Sequence, residues 1–128
     1  MRLLLDTQLL LWAAYAPARL PEAARALIAD MRHDIAFSPA SVWEVVIKRT
    51  LDRPDFRIDP RRLRRGLMEN GYVELPISSE HALAMDMLPP VHKDPFDRML
   101  VAQAIAEGLP FVTVDRRLAE YPGDVRLV

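Results

Sequence analysis

In the stretch Ile35-Ala36-Phe37-Ser38-Pro39, a short apolar run is followed at once by residues that start a helix. The apolar run predicts a strand that is buried on both faces of a sheet. Ser38 fits the N-cap of the next helix and Pro39 fits its first helical position, so we expect a helix that continues through Lys48. A direct passage from a buried strand into a helix is typical of α/β proteins.

The same alternation extends along the chain on both sides of this stretch. Further strands are predicted at residues 3–5, 72–75, 111–114 and, more weakly, 125–128. Helices are predicted around residues 9–12 and over 21–31, 60–70, 78–87 and 95–107. This order predicts an α/β fold in which a mostly parallel sheet is the middle layer of an α/β/α sandwich. No linker or internal repeat divides the sequence, so residues 1–128 should form a single domain.

The composition excludes several classes of protein. The chain has 128 residues, of which 51% are hydrophobic and 27% are charged, as in ordinary globular domains. A net charge of -1 gives no general attraction to nucleic acid or to membranes. With no cysteine, disulfide scaffolds, zinc-thiolate sites and thiol nucleophiles are excluded. With four separate glycines, neither a P-loop nor a dinucleotide-binding GxGxxG motif can be built.

The N-terminus superficially resembles a secretory signal, because Met1 and Arg2 precede an apolar stretch. Asp6 and Gln8 interrupt that stretch, and an ionised aspartate is costly inside a bilayer. No other segment approaches the roughly 20 apolar residues that a spanning helix needs. We therefore expect a soluble, cytoplasmic protein that does not associate with membranes.

Two acidic residues follow predicted strands directly. Asp6 comes after the first strand and Asp115 after the fourth. Because the carboxyl ends of parallel strands meet at one edge of the sheet, where ligands usually bind, these carboxylates should lie close together. Either residue alone could simply cap the helix that follows it.

Two more acids stand out by their surroundings. Glu44 lies within the apolar segment 42–47, where a buried carboxylate would need a cation, a metal ion or a hydrogen-bond donor. An ordinary i,i+4 ion pair with Lys48 is an equally good interpretation. Asp97 lies in the first turn of a helix that Asp94 should cap, so it could merely complement the helix dipole.

Carboxylates from four separate segments would repel one another strongly if they met at one edge of the sheet. A bound cation would remove that repulsion, and oxygen ligands favour hard ions such as Mg²⁺ or Mn²⁺. Such ions activate water and stabilise charge on a phosphate, so the acids point to phosphodiester hydrolysis.

Four sequence blocks resemble, in order, the PIN-domain ribonucleases of the VapC toxin group: residues 3–12, 41–44, 92–104 and 112–115. The block Asp94-Pro95-Phe96-Asp97-Arg98 is the most distinctive of them. The resemblance implies a PIN-like α/β/α sandwich, an RNA endonuclease that depends on Mg²⁺ or Mn²⁺, and a cognate antitoxin protein.

By motif position, the resemblance assigns both catalysis and metal binding to four acids: Asp6, Glu44, Asp97 and Asp115. Asp94 could join them as a metal ligand or only cap its helix. The chain departs from its relatives at Gln8, where many have histidine, and after the third helix, where many have glycine. Because of these departures, the resemblance does not identify the subgroup of the family, and therefore it does not identify the RNA substrate.

Four further residues are candidates for substrate binding. Thr7 and Thr113 could hydrogen-bond a metal-bound water or a neighbouring carboxylate, although threonines at strand ends are often merely exposed. Lys93 and Arg98 flank the acidic block and could orient a phosphate or pair with its acids.

Arginines are concentrated in one segment of the chain, together with three aspartates. This segment could guide RNA towards the acids, or it could be a solvated helix face with internal ion pairs. Its arginines are Arg49, Arg53, Arg57, Arg61, Arg62, Arg64 and Arg65.

The histidines His33, His81 and His92 have no metal-binding spacing, so we expect them to be structural or exposed. An apolar set could bind a second copy of the chain or an antitoxin helix, and core packing explains it equally well. Its members are Trp12, Leu83, Met85, Met87 and Leu88.

The leading hypothesis is therefore a toxin-like, metal-dependent ribonuclease that acts as a homodimer. The alternative is a catalytically silent PIN-like module that binds RNA or protein, and the presence of all four acids counts against it. Phosphoacceptor domains need a lysine late in the sheet, whereas the last lysine here is Lys93. Phosphatases with an Asp-x-Asp nucleophile are not supported, because Gln8 stands at the second position.

Overall fold

The computed structural model describes residues 1–51 and 57–128, so the predicted role of Arg53 lies outside the described residues. The strands are β1 (Arg2–Leu5), β2 (Asp34–Phe37), β3 (Val73–Glu74), β4 (Phe111–Thr113) and β5 (Val125–Leu127). The helices are α1 (Thr7–Tyr15), α2 (Glu22–Ala29), α3 (Pro39–Thr50), α4 (Pro60–Glu69), α5 (Ser79–Met85) and α6 (Pro95–Glu107). Short 3₁₀ helices lie at Pro17–Arg19 and Arg116–Glu120.

The five strands form one sheet in the order β3-β2-β1-β4-β5, and each neighbouring pair is parallel. The predicted α/β class with a parallel sheet is therefore confirmed. The central position of β1 explains its composition, because Leu3, Leu4 and Leu5 are completely buried. A strand covered on both faces needs apolar side chains on both.

Alternate residues of β1 belong to two different cores. Leu3 and Leu5 pack in a cluster with residues of α1, α2 and α4. Leu4 packs in a second cluster with residues of α6. Since successive side chains of a strand point to opposite faces, the two clusters cover the two faces of the sheet. This arrangement is a three-layer α/β/α sandwich.

The predicted helix boundaries agree with the structure where polar caps mark them. Among the described residues, the side chains of five accept a backbone N–H at an α-helix N-terminus: Asp6, Ser38, Asp59, Ser78 and Asp94. The caps at Ser38 and Asp94 were predicted. Gly108 has φ 66° and ends α6, because glycine adopts this left-handed conformation without a steric penalty.

The weaker helix patterns were predicted less well. Pro21 has an extended backbone and precedes α2 as its N-cap rather than occupying its first turn. Helix α2 ends at Ala29 and α5 ends at Met85, each two residues before the predicted end. Neither end carries a glycine that would mark it in the sequence.

The predicted apolar set does not form a single patch. Trp12 packs against the cluster of Leu3 and Leu5, whereas Leu88 packs against the cluster of Leu4 on the other face of the sheet. Leu83 and Met87 remain 71% and 83% exposed. Within the two described ranges, no helix is long and apolar enough to span a membrane.

Candidate metal centre

A cavity of about 340 Å³ lies where β1 and β4 end and α6 begins, beside the middle and C-terminal part of α3. Carboxylates from all of the predicted segments line it, together with Lys48 and Arg117. The structure thus brings together the acids that the sequence singled out: Asp6, Glu44, Asp94, Asp97 and Asp115.

Asp6 is 4% exposed and is held by three donors. Its Oδ1 accepts the backbone N–H of Leu9 at 2.8 Å, so it does cap α1. Its Oδ2 accepts from the Thr113 hydroxyl at 2.5 Å and from the Val114 N–H at 3.2 Å. Burial nevertheless raises the pKa of this carboxyl, because desolvation penalises its charged form more than the donors favour it.

The two predicted threonines occupy different places. Thr113 is fully buried, donates to Asp6 and accepts the backbone N–H of Asp115 at 3.0 Å, so it links two of the acids. Thr7 lines the cavity, but its hydroxyl donates to Ser41 Oγ at 2.9 Å and joins α1 to α3. Both hydroxyls are therefore engaged with the protein itself.

Glu44 is 7% exposed, and its two oxygens have different environments. Oε2 forms an ion pair with Lys48 Nζ at 2.9 Å, as the i,i+4 interpretation predicted. Oε1 is buried and has no hydrogen-bond partner among the described residues. A buried carboxylate oxygen without a partner is costly, so a cation in the cavity would find an available ligand here.

Asp94 caps α6 through Oδ1, which accepts the N–H groups of Phe96 at 2.8 Å and Asp97 at 3.1 Å. The pKa of Asp97 is raised to about 7, first by burial and then by the charges of the surrounding acids. Those acids are Asp94, Glu44, Asp6 and Asp115. A carboxyl that resists ionisation in this way indicates negative charge that the protein does not fully compensate.

Asp115 differs from the other acids because an arginine holds it. Arg117 donates through Nε to Oδ1 at 3.1 Å and through Nη2 to Oδ2 at 2.9 Å. This guanidinium lowers the pKa of Asp115. Arg117 was not predicted from the sequence, although it lies two residues after a strand-end acid.

His92 is also part of this site, which the sequence analysis did not predict. Its Nε2 lies 3.8 Å from Oδ2 of Asp97 and 3.8 Å from Oδ2 of Asp115. That nitrogen is buried and has no hydrogen-bond partner in the described part of the chain. Its position two residues before Asp94 was the only sign in the sequence.

The two predicted cations of this block do not line the cavity. Lys93 is exposed. The guanidinium of Arg98 donates to the carbonyl oxygens of Met85 at 3.2 Å and Pro89 at 3.1 Å. Arg98 therefore holds the segment between α5 and α6, and its contact with a phosphate stays a prediction.

The described arginines of the arginine-rich segment lie mainly on α4, with Arg49 on α3, and some of them pair with acids. Arg64 binds Glu74 at 2.7 Å, and Arg49 lies 3.5 Å from Asp59. Arg61, Arg64 and Arg65 line a separate cavity of about 540 Å³. No arginine of α4 lines the acidic cavity, so any contact with RNA here would be outside the acidic site.

The residues present fit a hard divalent cation. The donors are carboxylate oxygens from four separate segments, and one of them, Glu44 Oε1, is buried with no hydrogen-bond partner within residues 1–51 and 57–128. Mg²⁺ and Mn²⁺ prefer oxygen ligands of this kind.

Comparisons with known proteins agree with the observed fold. A family model described as PIN domain matches residues 3–124. A chain in the crystal structure of VapBC2 from Rickettsia felis bound to a DNA fragment from their promoter is 16% identical, with a TM-score of 0.69. The similarity covers 100% of this chain and 98% of that one.

A chain in the crystal structure of DNA-bound VapBC from Salmonella typhimurium is 17% identical, with a TM-score of 0.64. That similarity covers 100% of this chain and 97% of the other. At these identities the two structures establish a shared fold. No curated protein sequence matches the chain.

Proposed function

The chain belongs to the PIN-domain family, and we propose that it is a metal-dependent endoribonuclease that acts as the toxin of a toxin–antitoxin pair. The observation that carries this proposal is the convergence of five carboxylates on one cavity at the carboxyl edge of the sheet. Such a concentration of acids is unfavourable for folding and suits the binding of a hard cation.

In this proposal the ligands are the carboxylates of Asp6, Glu44, Asp97 and Asp115. Asp94 would contribute through Oδ2, because its Oδ1 caps α6. A bound Mg²⁺ or Mn²⁺ would supply an acidified water and positive charge at the scissile phosphate. The identity of the metal ion, Mg²⁺ or Mn²⁺, is also a proposal, and it is supported by the oxygen donors of the site.

The chain's own contribution is to hold the acids in place before substrate binds. Thr113 orients Asp6, Lys48 fixes one oxygen of Glu44, and Arg117 fixes Asp115. Carboxylates that are already oriented lose little freedom when they bind a cation. Lys48 and Arg117 also line the cavity, where their charges would attract an RNA phosphate.

We further propose a cognate antitoxin protein as the partner, because the two similar structures are of VapBC bound to DNA. A homodimer in the cytoplasm completes the proposal. The exposed Leu83 and Met87 of the α5 region, together with Trp43 at 58% exposure, are candidate contact residues.

A catalytically silent module that binds RNA or protein is the second candidate. Lys48 and Arg117 favour it, since they partly neutralise Glu44 and Asp115 without any metal ion. Oε1 of Glu44, which is buried and has no hydrogen-bond partner in the part of the chain that the structure describes, favours the nuclease instead.

Cleavage of end-labelled RNA by the purified protein would test the nuclease. Reactions would contain Mg²⁺, Mn²⁺ or EDTA, and Asp6→Asn prepared identically would exclude a contaminating nuclease. Cleavage that needs the metal and is lost in Asp6→Asn is expected. A folded protein that binds Mn²⁺ but cuts no tRNA, rRNA or mRNA would favour the silent module.

A further inference from the structure

The backbone of His92 is held by residues that do not line the acidic cavity. Its N–H donates to the Tyr121 hydroxyl at 3.0 Å, and that hydroxyl donates to the His92 carbonyl oxygen at 3.2 Å. Arg98 Nη1 donates to the same hydroxyl at 3.2 Å. These contacts place the imidazole ring in a defined position between α6 and the strand end that carries Asp115.

The ring itself has one nitrogen committed to the protein. Nδ1 of His92 lies 3.0 Å from the backbone nitrogen of Asp94, which has a proton to donate. Nδ1 must therefore accept, so it carries a lone pair and no proton. In a neutral ring the single proton is then on Nε2.

Distances alone would allow His92 to share a metal ion with Asp97 and Asp115. One atom from each residue lies within 4.8 Å of the others, and Nε2 is 3.8 Å from both carboxylates. Since Mg²⁺ holds its ligands at about 2.1 Å, two ligands of one ion lie at most about 4.2 Å apart. The tautomer argues against such ligation, because a protonated Nε2 has no lone pair to offer.

We propose that His92 is a positioning residue: its Nε2–H is shared between the carboxylates of Asp97 and Asp115 and orients them for a metal ion that His92 does not itself bind. This inference rests on the proposed function, since it assumes that these acids are ligands. The present distances of 3.8 Å are too long for a hydrogen bond, so the proposal requires a small rotation of either carboxylate towards Nε2. The buried donor has no other partner in the described residues.

Two substitutions of His92 can distinguish a donor at the position of Nε2 from a group at the position of Nδ1. The side-chain nitrogen of glutamine can take the place of Nε2 and donate, so His92→Gln should keep the metal affinity within a few-fold of wild type. The side-chain nitrogen of asparagine reaches only to the position of Nδ1, so His92→Asn should bind the metal ion more weakly. Residues that orient metal ligands typically contribute about 10–100-fold to affinity, and we expect a loss of that size for His92→Asn.

Calorimetric titration of Mn²⁺ into the wild type and both variants would measure this difference without RNA. His33→Gln is a matched control, because His33 lies at a different turn and bonds to Leu27. Equal affinities of His92→Asn and wild type would overturn this inference alone. A wild type that binds no Mn²⁺ would overturn the inference and the proposed function together.

The tautomer can be read directly by ¹⁵N NMR of the imidazole, with His92 assigned by the signal lost in His92→Gln. The Nε2–H form is expected both in EDTA and with Mg²⁺. Conversion to the Nδ1–H form on adding Mg²⁺ would show that His92 is a ligand and would overturn the proposal. Directly coordinated ¹⁴N in pulsed EPR of the Mn²⁺ complex would overturn it as well.

Discussion

Asp97 in the cavity and Asp30 at the surface are acidic side chains whose pKa values shift in opposite directions. At the surface turn after α2, Arg32 lies 2.8 Å from Asp30 and lowers the pKa of that carboxyl. In the cavity, burial and four neighbouring acids raise the pKa of Asp97 to about 7. The residue type is the same, so the difference comes from solvent and neighbours. A cation bound in the cavity would compensate the repulsion between these acids, which otherwise opposes folding.

Removal of a cavity acid should have the largest effect. Asp97→Asn should lower RNA cleavage on the order of 10³-fold, because it removes a proposed ligand whose electrostatic contribution is made at the reacting phosphate. Initial rates on end-labelled RNA with Mg²⁺ would measure this. Glu74→Gln, a surface acid paired with Arg64, should change the rate little. Equal losses in both variants would contradict the distinction between the two regions.

Removal of the Lys48 charge beside Glu44 should have the next largest effect, in this case on stability. Lys48→Met should destabilise the metal-free protein by about 2 kcal/mol, because it removes the ion-pair partner of a buried carboxylate. Urea unfolding in EDTA would measure the loss, and Mg²⁺ should restore part of it. Lys93→Met changes an exposed lysine and should stay within about 0.5 kcal/mol of wild type.

The raised pKa of Asp97 predicts a pH dependence of stability. A carboxyl whose pKa is higher in the folded state costs no stability below its unfolded pKa, and the cost grows as the pH rises towards 7. Metal-free wild type should therefore lose stability between about pH 4 and pH 7.

In the same buffer at pH 8, Asp97→Asn should melt at least about 4 °C above wild type, since about 1 kcal/mol shifts Tm by that amount. The gain should vanish at pH 4. Thermal melting in EDTA at the two pH values would test this, and a gain of equal size at both would refute the electrostatic explanation.

The surface ion pair of Arg64 and Glu74 should contribute least to the stability of the protein. Arg64 and Glu74 are separated by 2.7 Å, but the arginine side chain is 49% exposed. A double-mutant cycle with Arg64→Met and Glu74→Gln should give a coupling free energy of about 0.5 kcal/mol, because water screens the pair. A coupling above that of Lys48 with Glu44 would reverse the comparison between surface and cavity.

Much of the fold could be predicted because its signals are local. The apolar run at residues 3–5 predicted the central strand, and Ser38 with Pro39 predicted the start of α3. The ends of α2 and α5 were predicted two residues too late, because no glycine marks them. Helix ends of this kind depend on packing against the rest of the protein.

The candidate site could be predicted in part. Asp6 and Asp115 were identified by their place after strands, and the apolar neighbours of Glu44 marked it as unusual. The structure brings all of them to one cavity. His92 was missed, because its distance from Asp115 depends on how two distant loops meet at the sheet edge. Arg117 was missed although it lies only two residues after Asp115, the acid with which it pairs.

The sequence by itself determined the alternation of strands and helices, the polar caps and the set of acids, because each rests on residues a few positions apart. Only the tertiary structure decided which groups meet. Thr113 binds an acid 107 positions earlier in the chain, and Arg98 turns to the backbone of Met85 and Pro89 instead of the cavity. Such contacts arise from the packing of helices on the sheet, for which no short-range pattern exists.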